Sequence, residues 1–347
     1  MKQTRFAIVG AGNIGGIHAQ AIEAIPEAKL ITVCDKNEEI GKKLAQKYGT
    51  EWVESIQDAV NRTDVDIVCI CTPSGYHADV AEIAAAAGKH ILAEKPLDIT
   101  LERVDRIIHV AKKHGVTLGG VFPSRFKVGA QKTKEAIEKG RLGRIVLVQG
   151  SIKWFRQQSY YGVSWRGTWE LDGGGALMNQ SIHTIDLVQW FGGPVKRISG
   201  KVATLRHSIQ TEDTGAALLE FENGALGVIQ GATSCWPGDP ARVEIHGDAG
   251  TIVLEEGRII VWKLKDAAPD EESTMLNLDV GGGSGSQDPM GIGFELHRRQ
   301  IVDMIDAVNN RRPPAVTGEE GRKAVEIILA IYRSSQSNSP ISLPLKN

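Results

Sequence analysis

Between Arg5 and Phe122 the chain alternates two apolar rhythms. Short unbroken runs read as strands buried on both faces: RFAIVG (Arg5–Gly10), KLITVC (Lys29–Cys34), DVDIVCICTP (Asp64–Pro73), HILAEKP (His90–Pro96) and VTLGGVF (Val116–Phe122). Between them apolar residues recur every three or four positions, the spacing of one helical face. Ile14, Ile17, Ala21, Ile22 and Ile25 form such a set, stopped by Pro26. EEIGKKLAQKYG, the segment from His77 to a capping Gly88, and the segment from Thr100 to Gly115 form others. The alternation predicts an α/β fold, a doubly wound parallel sheet with its ligand at the C-terminal strand ends. Those ends carry Gly10, Asp35, Thr72 with Pro73, and Glu94-Lys95-Pro96.

After Phe122 the rhythm changes. One more helix, VGAQKTKEAIEKG, leads into GRIVLVQGSIKW, and the later apolar runs come in hairpin pairs. Asn223-Gly224 separates one pair; Asp248–Gly250 and Glu256-Gly257 mark further turns. This predicts an α+β domain with a large open, mostly antiparallel sheet, and a division into 1–123 and 124–347. VGGGSGSQDPMGIG (Val280–Gly293) reads as a flexible or ligand-ordered loop, followed by helices over Phe294–Asn310 and Gly318–Ser334. So few helices leave one sheet face uncovered, which predicts a homodimer or homotetramer.

GAGNIG adds chemistry to the first strand–helix turn. Gly10, Gly12 and Gly15 stand at GxGxxG spacing, directly after a strand and at a helix start, and Asp35 lies 20 residues beyond Gly15. In that context the motif signals a Rossmann dinucleotide site. Gly10 makes the tight turn, Gly12 admits the pyrophosphate, and Gly15 lets the helix pack on the strand. The amides around Asn13 and Ile14 face the phosphates at the helix N-terminus. Asp35 accepts the ribose hydroxyls and repels a 2′-phosphate, so the cofactor is expected to be NAD.

Composition narrows the class. A formal charge of −2 over 347 residues gives no basic surface for nucleic acid. No apolar run reaches membrane-spanning length, and the chain enters a strand pattern at once, without a secretory h-region. Cys34, Cys69, Cys71 and Cys235 form no CxxC pair and read as small buried residues of a reducing, cytoplasmic compartment. No metal-ligand spacing appears.

The segment WELDGGGALMNQSIHTIDLVQW (Trp169–Trp190) sets Asn179, His183 and Asp186 on one side of an otherwise apolar helix. Together with AGKHILAEKPL, TPSGYHADVA, RLGRI, VEIHGDAGTI and EEGRKAVEIILAIYRS, it resembles the glucose–fructose oxidoreductase/inositol dehydrogenase (Gfo/Idh/MocA) family over nearly the whole chain. The resemblance implies NAD(P)-dependent oxidation of a ring hydroxyl of a sugar or cyclitol, with no metal. It makes Lys95 of the EKP tripeptide and His183 the catalytic pair. Inositol dehydrogenases of the family have an aspartate four residues before that histidine; this chain has Asn179, which can bond a hydroxyl but cannot take its proton.

Chemistry agrees with that pair. Removal of a hydride requires the attached hydroxyl to lose its proton, a task suited to imidazole, while a lysine stabilises the developing alkoxide. Lys95 and His183 come from different domains, so they are expected to meet in the cleft between them. His77 and Glu94 are expected at the cofactor edge. WFRQQSYYGVSWRGTW (Trp154–Trp169) offers rings for sugar faces and arginine forks for anions. Arg125, Tyr161, Trp165 and Arg166, with Asn179 and His183, are the expected substrate contacts. The expected reaction is hydride transfer at C3 of a sugar, glycoside or nucleotide sugar. The alternatives are inositol dehydrogenase, NAD-dependent redox-assisted glycosidase and a non-catalytic sensor of NAD or sugar.

Overall fold

The structure, a computed structural model, describes residues 3–278 and 293–346. The loop expected over Val280–Gly293 falls almost wholly outside these residues. In chain order the first elements are β1 (Thr4–Val9), α1 (Asn13–Glu23), β2 (Ala28–Cys34), α2 (Glu38–Lys47), β3 (Glu51–Val53), α3 (Ile56–Val60), β4 (Ile67–Ile70), α4 (His77–Ala86), β5 (His90–Ala93), α5 (Leu101–His114) and β6 (Leu118–Gly120). The six strands make one sheet in the order β3-β2-β1-β4-β5-β6, and every pairing is parallel. The order steps outward on both sides of β1, the doubly wound arrangement whose switch point lies between β1 and β4. Strands β1 and β4 are almost entirely buried, which is why they carry unbroken apolar runs. The short β3 and α3 lack a clear apolar period, so the sequence pattern does not reveal them.

The next elements are α6 (Val128–Glu138), β7 (Ile145–Lys153), a π-helical turn (Ala176–Ser181), α7 (Ile182–Gly192), β8 (Val195–Ala203), β9 (Thr214–Phe221), β10 (Leu226–Ala232), β11 (Arg242–Gly247), β12 (Gly250–Glu255), β13 (Arg258–Leu264) and α8 (Glu271–Leu276). After the undescribed segment come α9 (Glu295–Asn310), α10 (Gly318–Ser337) and β14 (Ile341–Ser342). The second sheet runs β13-β12-β11-β7-β10-β9-β8-β14. Only β7 with β10 is parallel; the other pairings are antiparallel. Strand β9 alternates strictly, with Ala217, Leu219 and Phe221 buried and Ala216 and Leu218 exposed. Helix α7 packs against β7 and β11 on the buried face.

The chain divides into two compact units, residues 1–123 with 293–322, and 124–292 with 323–347. The sequence-based division assigns 293–322 to the second domain, and the structure corrects this. Ile301, Met304 and Ile305 of α9 share a buried cluster with Phe6, Ile8, Ala19, Ile22 and Leu92. The side chain of Gln300 bonds both the Phe122 amide (3.1 Å) and the Gly120 carbonyl (2.5 Å). The apolar stripe of α9 is legible in the sequence, but nothing in its period says which sheet it covers.

Candidate active site

The first unit presents a turn suited to a dinucleotide. Gly10 has φ +102°, and a Cβ there would lie 2.5 Å from the Cys71 carbonyl oxygen. At Gly15 a Cβ would lie 2.0 Å from the Gly10 oxygen, so the helix can approach its strand only without one. At Gly12 a Cβ would meet nothing within 4 Å. That open backbone is the cradle a pyrophosphate needs. Asn13 is exposed and Ile14 half-buried on the first turn of α1, whose start has no side-chain cap. Asp35 holds the turn from the side: its Oδ2 accepts the Ala11 N–H and its Oδ1 the Asn37 N–H, both at 2.7 Å. The remaining lone pairs can accept ribose hydroxyls. Beyond β4, Thr72 and Pro73 are half-buried, and the buried Thr72 Oγ1 lacks a hydrogen-bond partner among the described residues. These observations fit a nicotinamide dinucleotide.

Two expected cofactor contacts have different roles. His77 is 1 % exposed, and its Nδ1 and Nε2 lie 2.9 Å from the carbonyl oxygens of Pro96 and Thr72. Its ring therefore ties the loop after β4 to the loop after β5, and is walled off from a ligand. Glu94, at the end of β5, is equally closed off. Its Oε1 lies 2.9 Å from His18 Nε2 and 3.5 Å from His297 Nε2, and its Oε2 accepts the Lys95 N–H at 3.1 Å. Burial works to raise this carboxyl, but the two imidazole hydrogen bonds outweigh it and hold it well below the usual range. Burial also lowers His18, favouring a neutral ring that donates to an ionised carboxylate. Glu94 thus anchors the peptide of Lys95. Lys95 itself is half-buried.

His18, Glu94 and His297 bring three ligand atoms within 4.8 Å of one another, a grouping that can hold a metal ion. Here both Nε2 atoms address one oxygen. Each Nδ1 is buried without a hydrogen-bond partner among the described residues, whereas metal-bound histidines almost always donate the other ring N–H. The geometry is that of a hydrogen-bonded triad.

In the second unit, Asn179 lies on the π turn and His183 on the first turn of α7, both half-buried. Asn179 Nδ2 donates to Asp172 Oδ1 at 2.6 Å, and its Oδ1 accepts from Gln180 Nε2 at 2.8 Å. Asp172 is 1 % exposed and also accepts the Gly167 N–H. The Tyr160 ring carries Arg166, whose guanidinium carbon is 4.2 Å from its centroid and 5.3 Å from that of Trp165. Trp165 and Arg166 are half-exposed. The Tyr161 hydroxyl is bonded to Thr233 Oγ1 at 2.8 Å, and burial raises its pKa. Arg125 departs from expectation. It is 3 % exposed, and its Nε and Nη2 clamp both Asp186 oxygens at 2.8 and 2.6 Å. Its fork is filled from within the unit, so it is a poor candidate for substrate contact; Asp186 is correspondingly the partner of Arg125.

Residues 4–121 match the model of an oxidoreductase family with an NAD-binding Rossmann fold, and residues 130–253 match the GFO/IDH/MocA C-terminal domain. The chain belongs to the GFO/IDH/MocA oxidoreductase family. It is similar to the WlbA dehydrogenase from Bordetella pertussis, solved in complex with NADH and UDP-GlcNAcA: 32% identity, TM-score 0.90, covering 100% of this chain and 99% of that one. It is 28% identical to the myo-inositol 2-dehydrogenase of Thermotoga maritima over 356 residues, 98% of each chain. It is 26% identical to the D-glucoside 3-dehydrogenase of Escherichia coli over 366 residues, 98% of this chain and 97% of that one. As a GFO/IDH/MocA oxidoreductase the chain is an NAD-binding dehydrogenase. No helix among its described residues is long and apolar enough to cross a membrane.

Four buried groups of this family member escape sequence reasoning: His297, Asp172, Glu212 and Tyr332. Each acts through a partner far along the chain or on a backbone amide, and neither leaves a local spacing signal. The one available hint is a charged or polar residue inside an apolar helical period, as at His297 and Tyr332.

Proposed function

We propose that the protein oxidises a ring hydroxyl of a nucleotide-linked sugar, at C3, with Lys95 and His183 as its acid–base pair. The observation that carries this reading is full-length similarity, at 32% identity, to a dehydrogenase solved with NADH and UDP-GlcNAcA. Asn179 supports it against an inositol substrate. Both ends of its amide are already bonded to Asp172 and Gln180, and an amide cannot take a proton. That leaves an imidazole and an amine for the proton work.

NAD, when bound, supplies the hydride acceptor. The chain's part is proton transfer and placement. The His183 imidazole accepts the hydroxyl proton as the C–H bond is lost. Lys95 Nζ donates a hydrogen bond to the same oxygen, stabilising its growing negative charge. Glu94 holds the Lys95 peptide through its N–H. Asp172 holds Asn179 so that the π turn presents a fixed surface beside His183. Trp165 and Arg166 are the candidates for stacking on the sugar and contacting the diphosphate.

A panel of UDP-sugars, simple glycosides and inositols, followed by NADH absorbance, tests the substrate class. The highest kcat/KM is expected for a UDP-sugar with a free 3-hydroxyl; preference for an inositol would overturn it. Lys95→Ala and His183→Ala are each expected to lower turnover by about two orders of magnitude or more, with NADH binding retained. Near-normal turnover in either variant would remove that residue from the mechanism.

A further inference from the structure

The segment carrying Asn179 and His183 starts from three glycines, Gly173 to Gly175, and the amides that follow converge on one side chain. Glu212, two residues before β9, is 2 % exposed. Its Oε2 accepts the Gly175 N–H at 3.0 Å and its Oε1 the Leu177 N–H at 2.8 Å. Its backbone carbonyl accepts the intervening Ala176 N–H at 2.9 Å. The Tyr332 hydroxyl, from α10, donates to Oε1 at 2.9 Å. Three consecutive amides at the start of the π turn therefore close on one residue.

The contact is tight as well as satisfied. A Cβ on Gly175 would lie 1.9 Å from the Glu212 carbonyl oxygen, and one on Gly174 2.2 Å from the Tyr332 hydroxyl. Gly174 and Gly175 are thus explained by what they pack against, and Gly173 by its φ of +71°. The unpaired donors at a helical start carry partial positive charge, and a carboxylate there is favoured.

We propose that Glu212, held by Tyr332, is the positioning residue that sets Asn179 and His183 in place, and that its ionised form is the one that does so. This rests on the reading of His183 as the acid–base group. Both Glu212 oxygens already accept an N–H or O–H. A proton would weaken these oxygens as acceptors and add a buried O–H that needs an acceptor of its own, so protonation works against the bonds to the turn amides and the tyrosine. Among the described residues, the groups shown to act on Glu212 include no compensating cation. Tyr332 on α10 is a hydrogen-bond donor, held neutral because burial and Glu212 raise its pKa. Asp172, at the start of the glycine turn, is an acid that also acts on Tyr332. The adjacent Asp213 is occupied by the amides of Leu205, Arg206 and His207. Burial is the larger influence on Glu212 and raises its carboxyl to about 7, against the pull of the Leu177 amide, Tyr332 and the Gly175 amide. The turn is therefore expected to loosen as the pH falls through that value.

The test is an NMR titration of the full-length protein with NADH, following the Gly175 and Leu177 amides and the His183 ring from about pH 5 to 9. The expected result is a step with a midpoint near 7, shared by both amides and visible at His183. It should vanish at both amides in Glu212→Gln. Should that variant fail to fold, Tyr332→Phe decides: losing a hydrogen bond to the carboxylate should move the midpoint upward, which a merely space-filling tyrosine would not do. Absence of the shared step, or an unmoved midpoint in Tyr332→Phe, would overturn the proposal. The readout needs no substrate. If His183→Ala keeps its turnover while the amides still titrate, the acid–base reading fails and the Glu212 anchor stands. Amides that do not titrate in an enzyme dependent on His183 would overturn the anchor and leave the acid–base reading intact.

Discussion

Arg125 and Asp186 show what burial does to a charged residue. Both are almost solvent-free, their bonds are bidentate, and the guanidinium carbon lies 5.1 Å from the Trp190 ring centroid. Removing one partner leaves the other as an uncompensated charge in a low-dielectric interior. Asp186→Ala or Arg125→Met is therefore expected to cost roughly 3–5 kcal/mol of stability. The double variant Arg125→Met/Asp186→Leu should cost much less, since no charge remains to be desolvated. Urea unfolding of the three proteins checks this: a double variant as unstable as either single one would show that the loss comes from packing rather than charge. Asp186 is visible in the sequence as a polar interruption of a helical stripe. Its partner is not, because Arg125 lies 61 residues earlier and reads there as a ligand contact.

At the scale of elements, the β1–α1 turn separates two uses of glycine that look alike in the motif. Gly15 gives its missing Cβ to the packing of α1 on β1, whereas Gly12 leaves open space. Gly15→Ala would force the helix off its strand and is expected to lower both thermal stability and NADH affinity. Gly12→Ala should leave the melting temperature nearly unchanged and weaken NADH binding alone, because its new methyl group would stand where the pyrophosphate approaches. Calorimetry with a fluorescence titration of NADH separates the two. Equal losses of stability in both variants would contradict the geometry. The Asn223-Gly224 hairpin shows a similar agreement of local chemistry and fold. Gly224 has φ +85°, and Asn223 Oδ1 caps the Ala225 amide at 3.0 Å.

For the whole molecule, the second sheet leaves an apolar strip on its outer face. Leu218 pairs with Val228, and Leu226 with Leu147, across the centre of eight strands. Leu218 and Leu226 are 62% and 57% exposed. We propose that this face is covered by a second copy of the chain, in a homodimer or homotetramer. Closed symmetric assembly would bury the strip without open-ended growth. Light scattering after size exclusion is expected to give a dimer or tetramer at micromolar concentration, and Leu218→Lys with Leu226→Glu should shift it toward monomer. A wild-type monomer would refute the proposal.

Local patterns in the chain determined the parallel sheet, its glycine turn, the antiparallel hairpins and the NAD-favouring Asp35, because each depends on residue types at short spacing. The π turn under Asn179 reads as ordinary helix in the sequence, since one extra residue in a turn barely disturbs an apolar period. Tertiary structure decided that α9 covers the first sheet rather than the second, that Glu94 is enclosed by His18 and His297, and that His77 ties two loops together. It also decided that Arg125 is consumed by Asp186 and that Gly174 and Gly175 fit against Tyr332 and Glu212. In each case the deciding partner is distant along the chain. Burial makes a polar group depend on its partner, and a sequence shows the group without showing whom it meets.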